Sequence, residues 1–362
     1  MHRKTILDIS YYTFPLKSSK KVINSCYSTL GFLNKVGPSY KIVFIARTIK
    51  HFKCEKANNV LIKFFKSRKL KKWQVPFRFH NYIKSFKPDF ILVHGFGVVH
   101  YLVFLRLIIP NVKIVLQCNG HTHKPKWVKK NIYRLSDRFI DGYLFTGKEN
   151  AKHWYESKSI RKEKVFQVME GSTSFKINDK MKRKPFSFIW VGGLNYNKDP
   201  LTVLKAFNMF LTMQPLAKLT MVFHENDLLD TINMFIINKP NLIDAIDLRG
   251  YVEHGLLEDI YNQNKFFILG SHYEGSGYAL SEAMACGCVP VITNIPSFKY
   301  MTNNGECAFL FSPANERELF EQLIATQTCD YNLFQSKVTN QFKNKLSFEA
   351  IAKEIVDIFQ SL

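Results

Sequence analysis

The sequence predicts an α/β protein of two doubly wound domains, and three observations support this fold class. First, the chain has 362 residues and is 46% hydrophobic, which is enough for two cores of roughly 150 to 200 residues each. Second, short runs rich in β-branched and aromatic residues alternate with longer amphipathic stretches, a pattern typical of parallel sheets that are buried on both faces. Third, a break in composition divides these runs into two series.

The predicted strands form one series on each side of that break. The first series comprises residues 5–10, 41–47, 90–94, 112–118 and 142–146. The second comprises residues 186–191, 219–223, 246–250, 266–271 and 289–293. Turn-forming and charged residues lie between the two series, so we place a hinge near residues 170–185. Doubly wound domains bind ligands at the carboxyl ends of their strands, so two such domains facing each other should enclose one deep cleft that holds the site.

Composition narrows the class of protein. The first residues lack the apolar core of a signal peptide, and the apolar region 90–110 contains His94, His100 and Arg106, which are costly to bury in lipid. We therefore predict a cytoplasmic chain with no membrane span. The seven cysteines are scattered and show no CxxC spacing, so we interpret them as reduced thiols.

Charge is divided unequally along the chain. Residues 1–180 contain 36 of the 51 basic residues and only 10 of the 29 acidic ones. This asymmetry predicts that the first domain faces a polyanion, which could be nucleic acid, an anionic leaflet or a pyrophosphate-bearing acceptor.

Residues 61–73 interleave apolar side chains with six cations. On a helix these residues would form a surface suited to anionic headgroups, although a merely solvated helix is the alternative. No recognised nucleic-acid-binding motif accompanies them, so we expect an anionic membrane surface as the partner and not nucleic acid. The six cations are Lys63, Lys66, Arg68, Lys69, Lys71 and Lys72.

The strongest local signal lies in residues 271–290. A predicted strand ends there, the chain passes Gly275 and Gly277, and a helix follows that Gly287 and Pro290 should end. Glycines let the backbone approach a ligand, and the unpaired N–H groups of a first helical turn attract phosphate. Glu282 lies about one turn into that helix, where its carboxylate could accept both ribose hydroxyls of a nucleotide. Glu274 precedes the loop and could orient a sugar hydroxyl.

Glu274 and Glu282 are also the two glutamates of a run that resembles the E-x7-E signature of glycosyltransferase family 4. Residues 191–194 with Lys198, and residues 248–252 and 304–311, are similar to other segments of that family's C-terminal domain. Residues 87–95, 112–121 and 141–149 resemble its acceptor-domain strands more loosely. The resemblance implies the GT-B fold, in which two doubly wound Rossmann-like domains face each other across a deep cleft. The implied domains are an acceptor-binding domain at residues 1–175, a nucleotide-sugar-binding domain at 185–345, and a C-terminal helix at 346–362 that packs back on the first domain.

The resemblance also implies roles for individual residues. Lys198 would contact the donor phosphates, Glu274 would lie near the transferred sugar, and Glu282 would bind the ribose. The implied donor-binding residues are Gly192, Gly193, Lys198, Glu274, Gly275, Ser276, Gly277, Tyr278 and Glu282. His121 joins Glu274 and Lys198 as the implied catalytic set, although Asn119 holds the aligned position and His123 is a second candidate. No Asp-x-Asp motif occurs, so we expect no metal and no cofactor.

Gly193 departs from the family's pattern, which usually has an arginine there. We expect a hexosyltransferase-type enzyme that moves a sugar from a nucleotide-sugar donor to a glycan or lipid-linked acceptor with retention of configuration. Its expected setting is cell-surface polysaccharide synthesis at the inner face of the cytoplasmic membrane. One alternative is a catalytically silent nucleotide-binding scaffold subunit, because Gly193 removes a phosphate-neutralising charge. The other is a GT-B-fold phosphorylase or epimerase.

Overall fold

The computed structural model describes residues 3–67, 71, 73–118 and 127–362. The chain divides into a first unit, Met1–Glu170 with Phe348–Leu362, and a second unit, Gly171–Ser347. Each unit carries its own sheet. Within the described ranges, no helix combines the length and the apolar composition that crossing a membrane requires.

The strands follow in chain order. They are β1 (Lys4–Phe14), β2 (Tyr40–Thr48), β3 (Glu55–Ala57), β4 (Val60–Lys66), β5 (Phe90–His94), β6 (Lys113–Cys118), β7 (Gly142–Phe145), β8 (Val165–Gln167), β9 (Ser187–Gly192), β10 (Lys218–Phe223), β11 (Ile246–Gly250), β12 (Phe266–Leu269), β13 (Val289–Thr293) and β14 (Phe309–Phe311).

The α-helices are α1 (Ser19–Ser25), α2 (Tyr27–Leu33), α3 (Phe77–Lys84), α4 (Val99–Ile108), α5 (Trp127–Ser136), α6 (Lys148–Glu156), α7 (Pro200–Met213), α8 (Leu229–Ile237), α9 (Pro240–Ile243), α10 (His254–Gln263), α11 (Tyr278–Ala285), α12 (Pro296–Met301), α13 (Glu316–Thr328), α14 (Tyr331–Gln341) and α15 (Phe348–Ser361). Short 3-10 turns occupy Phe96–Val98, Asp137–Phe139 and Lys162–Lys164, and a π-helical turn occupies Phe342–Leu346.

The sheet of the first unit has the strand order β3-β4-β2-β1-β5-β6-β7-β8. Neighbouring strands run parallel, except that β3 is antiparallel to β4. The five strands that the sequence predicts in this half are confirmed, and β3, β4 and β8 are additional. Leu7, Ile9, Val43, Ile91 and Val93 are buried in the core, which is why these strands read as continuous apolar runs.

The predicted helix over residues 61–73 is wrong for its first half, because β4 continues to Lys66. Ile62 and Phe64 are buried, whereas Lys63 between them is only half-buried. Apolar residues at every second position are typical of a strand. The backbone of β2 supplies the hydrogen-bonding partners for this segment.

The sheet of the second unit has the order β11-β10-β9-β12-β13-β14, and all its neighbouring strands are parallel. The five strands predicted in this half are confirmed, and β14 is additional. Because the chain moves outward from β9 first to β10 and later to β12, the strand order reverses between β9 and β12. Doubly wound sheets bind ligands at such a reversal, outside the carboxyl ends of the strands.

The C-terminal helix α15 packs within the first unit. The Phe359 ring lies 4.8 Å from the Phe90 ring, and Lys35 forms an ion pair with Glu349 at 2.7 Å. The ring of Phe348 lies so close to Gly31 that no larger residue fits there without movement.

Candidate active site

A cavity of about 510 Å³ lies in the second unit, at the reversal between β9 and β12. The carboxyl ends of β9, β10 and β12 line it, together with the first two turns of α11. Gly275 lies in the loop between Glu274 and Ser276, which both line the cavity. Of the residues expected to bind the donor, those that line this cavity are Gly192, Gly193, Lys198, Glu274, Ser276, Gly277, Tyr278 and Glu282.

The start of α11 depends on Gly277. This residue has a φ of +57°, and a Cβ there would lie 2.6 Å from Sδ of Met301. Only glycine adopts that conformation and fits that space without strain. Gly287 has a φ of +75° two residues after the helix ends, as predicted, whereas Pro290 lies inside β13 opposite Phe267 and does not end the helix.

Lys198 and Glu274 form an ion pair in the cavity wall. The Ser271 hydroxyl donates to the same Oε1 of Glu274 at 2.7 Å. Both charged side chains are mostly buried, so each has fewer accessible rotamers than a surface side chain. The Glu274 carboxylate therefore holds the Lys198 ammonium group in the cavity wall.

Glu282 is 7% exposed and is held through both carboxylate oxygens. Nε2 of His254 lies 2.8 Å from Oε1, and the Tyr261 hydroxyl donates to Oε2 at 3.1 Å. The hydrogen bond with Glu282 raises the pKa of His254, and burial raises the pKa of Tyr261, which keeps its hydroxyl protonated as a donor. Because each carboxylate oxygen can accept more than one hydrogen bond, Glu282 can still bind ligand hydroxyls.

Glu225 stands where a side chain at position 193 would project. A Cβ on Gly193 would overlap Oε2 of Glu225 and lie 2.9 Å from Nδ2 of Asn195, which itself donates to that oxygen at 2.7 Å. The cavity therefore holds a carboxylate beside the position at which the sequence lacks the expected cation.

Sequence reasoning missed His254, Tyr261 and Glu225. Two of them could have been found, because Glu225 is the second residue after the carboxyl end of β10 and His254 opens the helix after β11. Tyr261 has no such signal, since it reaches Glu282 through the packing of α10 on α11.

The first unit also brings polar groups to the carboxyl ends of its strands. Nε2 of His94, at the end of β5, lies 2.8 Å from Oδ2 of buried Asp8 on β1. Burial lowers the pKa of His94, but the charge and hydrogen bond of Asp8 outweigh that effect and raise it overall. The loop that should supply His121, with Asn119 and His123 as alternatives, lies outside the described residues.

The cations expected to contact the membrane differ in how far they are exposed. Lys63 is half-buried on β4, and Lys66 and Lys71 are exposed. Arg68, Lys69 and Lys72 lie outside the described residues.

The match to a known protein family lies within one of the two units of the chain. Residues 173–336 match the family model of glycosyl transferases group 1. All these residues belong to the second unit, and they include the whole cavity wall. The chain is 28% identical over 121 residues to the GDP-mannose:cellobiosyl-diphosphopolyprenol alpha-mannosyltransferase of Xanthomonas campestris, a match that spans 33% of this chain and 32% of that protein. The protein of the same name in Xanthomonas oryzae is 28% identical over 112 residues and is matched over 30% of its length.

Solved structures resemble the whole chain. A glycosyltransferase from Rickettsia africae superposes with a TM-score of 0.75 at 14% identity, covering 100% of this chain and 99% of that one. HepE from Anabaena, solved in complex with UDP and glucose, superposes with a TM-score of 0.65 at 13% identity over 100% of both chains. These likenesses confirm the predicted α/β fold of the GT-B type with two Rossmann-like units. The family match and the named Xanthomonas relatives support a glycosyltransferase and favour it over a silent scaffold, a phosphorylase or an epimerase.

Proposed function

We propose that this protein moves a sugar from a nucleotide-sugar donor to a glycan or lipid-linked acceptor with retention of anomeric configuration. The donor would lie in the cavity of the second unit. The observation that carries the proposal is the setting of Glu282, a buried carboxylate held by His254 and Tyr261. It lines the same cavity as Lys198 and the first turn of α11. A carboxylate for ribose hydroxyls beside a cation and unpaired N–H groups for phosphate complements a nucleoside diphosphate.

The cavity would act mainly on the leaving group. Departure of the nucleoside diphosphate develops negative charge, which the Lys198 ammonium and the N–H groups at the start of α11 would stabilise. Glu274, held by Lys198 and Ser271, is fixed where it can accept a hydrogen bond from a sugar hydroxyl. In this proposal the acceptor attacks from the face that the diphosphate leaves, and neither a metal ion nor a cofactor takes part.

The relatives supply the first donors to test. The names of the Xanthomonas proteins specify GDP-mannose and a diphosphopolyprenol acceptor, and the Anabaena protein was solved with UDP and glucose. These names support hexosyl transfer onto a lipid-linked glycan in cell-surface polysaccharide synthesis. The excess of cations in residues 1–180 supports work at the anionic inner face of the cytoplasmic membrane.

A thermal-shift screen tests the donor site. UDP, GDP, ADP and their common sugar conjugates are added, with chelator present, to the native protein, to Glu282→Gln and to Glu321→Gln. The last is a matched control, since Glu321 is exposed on α13 away from the cavity. We expect one nucleotide class to stabilise the native protein and the control by about 2 to 3 kcal/mol at a concentration near 100 times Kd, and Glu282→Gln much less.

Other results would contradict parts of the proposal. Equal stabilisation of all three proteins would place the nucleotide elsewhere, and no stabilisation by any nucleotide would remove the donor site. If binding were normal but no sugar were transferred to any lipid-linked or glycan acceptor, the scaffold alternative would stand. Retention is tested separately by NMR on the product, where an inverted anomeric coupling would refute it.

A further inference from the structure

A second cavity, of about 480 Å³, lies in the first unit between the end of α5 and the segment that leads into β8. We call it the amino-end pocket. Its cationic lining residues are Arg134, Arg138, Lys158, Arg161 and Lys162, and its acidic lining residues are Asp137 and Glu163.

The amino-end pocket lies on the opposite edge of the first unit's sheet from His94, which is at the carboxyl end of β5. Its residues come just before β7 and just before β8, so they lie at the amino ends of those strands. Acceptor binding in a doubly wound domain is expected at the carboxyl ends. A ligand in this pocket would therefore be separate from the acceptor, and the proposed transfer reaction does not require it.

The acidic residues of the pocket do not balance its cations. Asp137 is buried and is already engaged by Arg161, whose Nε lies 2.6 Å from Oδ2, by the Tyr143 hydroxyl at 3.0 Å, and by Lys164 at 3.6 Å. Glu163 is exposed, and among the described cations it lies within 4.0 Å of Arg161 alone, at Nε.

The remaining cations have no acidic partner. Across the described part of the chain, no carboxylate lies within 4.0 Å of Arg134, Arg138, Lys158 or Lys162, and none of the residues outside it is acidic. Lys162 lies over the Tyr155 ring at 5.5 Å, which leaves its positive charge uncompensated. The pocket thus has a lining charge of about +3.

The helix dipole accounts for only part of this cluster. Arg134 is in the last turn of α5, where the helix dipole favours a cation. None of the other cations is in the last turn of an α-helix, and like charges in a concave site repel one another. Lys158 also has a φ of +56° after α6, a left-handed conformation that costs a lysine free energy and that glycine or asparagine would adopt more readily.

We propose that the amino-end pocket binds a phosphate-bearing anion of diphosphate or headgroup size. Arg134, Arg138, Lys158 and Lys162 would neutralise it. Arg161, held at Nε by Asp137, would present its remaining guanidinium donors, which suit the geometry of phosphate oxygens. The volume is in the range of small-ligand sites. The phosphate could belong to a free phosphorylated compound or to a lipid headgroup, and the experiment distinguishes these sources.

The first arm is a calorimetric titration with inorganic pyrophosphate at low salt. All proteins carry Lys198→Ala, so that the donor cavity contributes little. One protein adds R134Q/R138Q/K158Q/K162Q, which leaves the Arg161–Asp137 pair intact. Its control adds K50Q/K53Q/K56Q/K84Q, which removes the same charge from exposed positions outside the pocket. Matching circular dichroism spectra and melting temperatures establish that each protein is folded.

We expect the Lys198→Ala parent and the control to bind pyrophosphate within about two-fold of each other, and the pocket variant at least about ten-fold more weakly. Equal affinities in the pocket variant and its control would overturn the proposal, because the cations would then act only through the overall field. Absence of pyrophosphate binding by the parent would overturn it as well.

The second arm is sedimentation with vesicles of phosphatidylglycerol, with phosphatidylcholine vesicles as the reference. Loss of pelleting only in the pocket variant, together with competition by pyrophosphate, would identify a lipid headgroup as the source. Equal pelleting of the pocket variant and the control, combined with the expected calorimetric difference, would identify a free phosphorylated compound. Equal behaviour of the two proteins in both arms would refute the pocket.

Discussion

His254 Nε2 lies 2.8 Å from Oε1 of Glu282, so the carboxylate expected to bind ribose is held before any ligand arrives. The imidazole also stacks on Phe175, with ring centroids 5.0 Å apart. The contact between His254 and Glu282 joins two helices, because His254 opens α10 and Glu282 lies in α11. A carboxylate fixed in this way loses little side-chain entropy when a nucleotide binds.

The first prediction concerns pH. Since the pKa of His254 is raised above its usual 6.5 in the folded protein, its stabilisation is fully present below pH 6.5 and is lost as the pH rises through the folded pKa. The side chain is half-exposed, so we expect the effect to be less than about 1 kcal/mol. Denaturant unfolding of native and His254→Gln proteins from pH 5.5 to 8.5 measures it. A native-minus-variant difference that grows with rising pH would contradict the assignment.

The second prediction concerns Tyr261. Tyr261→Phe removes the donor to Oε2 of Glu282 and should lower the free energy of unfolding by about 1 kcal/mol. Tyr331→Phe is the matched control, because its hydroxyl donates to the Gly287 carbonyl at 3.2 Å outside the cavity. We expect similar losses of stability, but a nucleotide affinity about three- to ten-fold weaker only in Tyr261→Phe, measured by calorimetry. Equal affinities would show that Tyr261 does not position Glu282.

The third prediction concerns the leaving group. Lys198→Ala should reduce sugar transfer by about 10²- to 10³-fold, since it removes one stabilising donor from a site with few cations. Lys205→Ala is the control, because Lys205 lies on α7 and pairs with Glu316 at 3.1 Å away from the cavity. Initial rates with saturating donor check this. A turnover within two-fold of the control would exclude Lys198 from catalysis.

The fourth prediction concerns the missing cation. Gly193→Arg alone should bind a nucleoside diphosphate little better than the native protein, because Glu225 would pair with the new guanidinium. Gly193→Arg with Glu225→Ala should bind about five- to ten-fold more tightly, since the arginine is then available to phosphate. Gly193→Ala with Glu225→Ala controls for shape. Equal affinities in the two double variants would mean that position 193 does not face the diphosphate.

The fifth prediction concerns His80, which is buried beside Tyr11 with 2.9 Å between Nε2 and the hydroxyl oxygen. Burial, aided by Arg47, lowers the pKa of His80 to about 4. The unfolded chain takes up this proton near pH 6.5, so the folded state loses roughly 2 to 3 kcal/mol as the pH falls from 6.5 toward 4. Carboxylates also titrate there, so the measurement is the difference between native and His80→Gln unfolding curves. A difference that is independent of pH would contradict a neutral buried imidazole.

Much of the fold could be predicted from local pattern. Strands buried on both faces read as continuous apolar runs, which located ten of the strands, and the glycines at positions 275 and 277 located the start of α11. Local pattern gave a wrong prediction where the same residues fit both the period of a helix and the period of a strand. Residues 61–66 suit either a cationic helix or a strand, and the choice depends on β2, whose backbone pairs with β4.

The sequence by itself determined the two series of strands, the glycine loop and the two glutamates, because each of these is encoded within about twenty neighbouring residues. Only the tertiary structure decided which other groups share the cavity. His254 and Glu225 lie 28 and 57 positions before Glu282, and no local spacing relates them to it. Glu225 lines the same cavity as Glu282, and His254 contacts Glu282 from the start of α10, because the order β11-β10-β9-β12 places the carboxyl ends of these strands along one edge of the sheet. That order follows from how the whole unit buries its apolar faces, which is a property of the assembled sheet and not of any one segment.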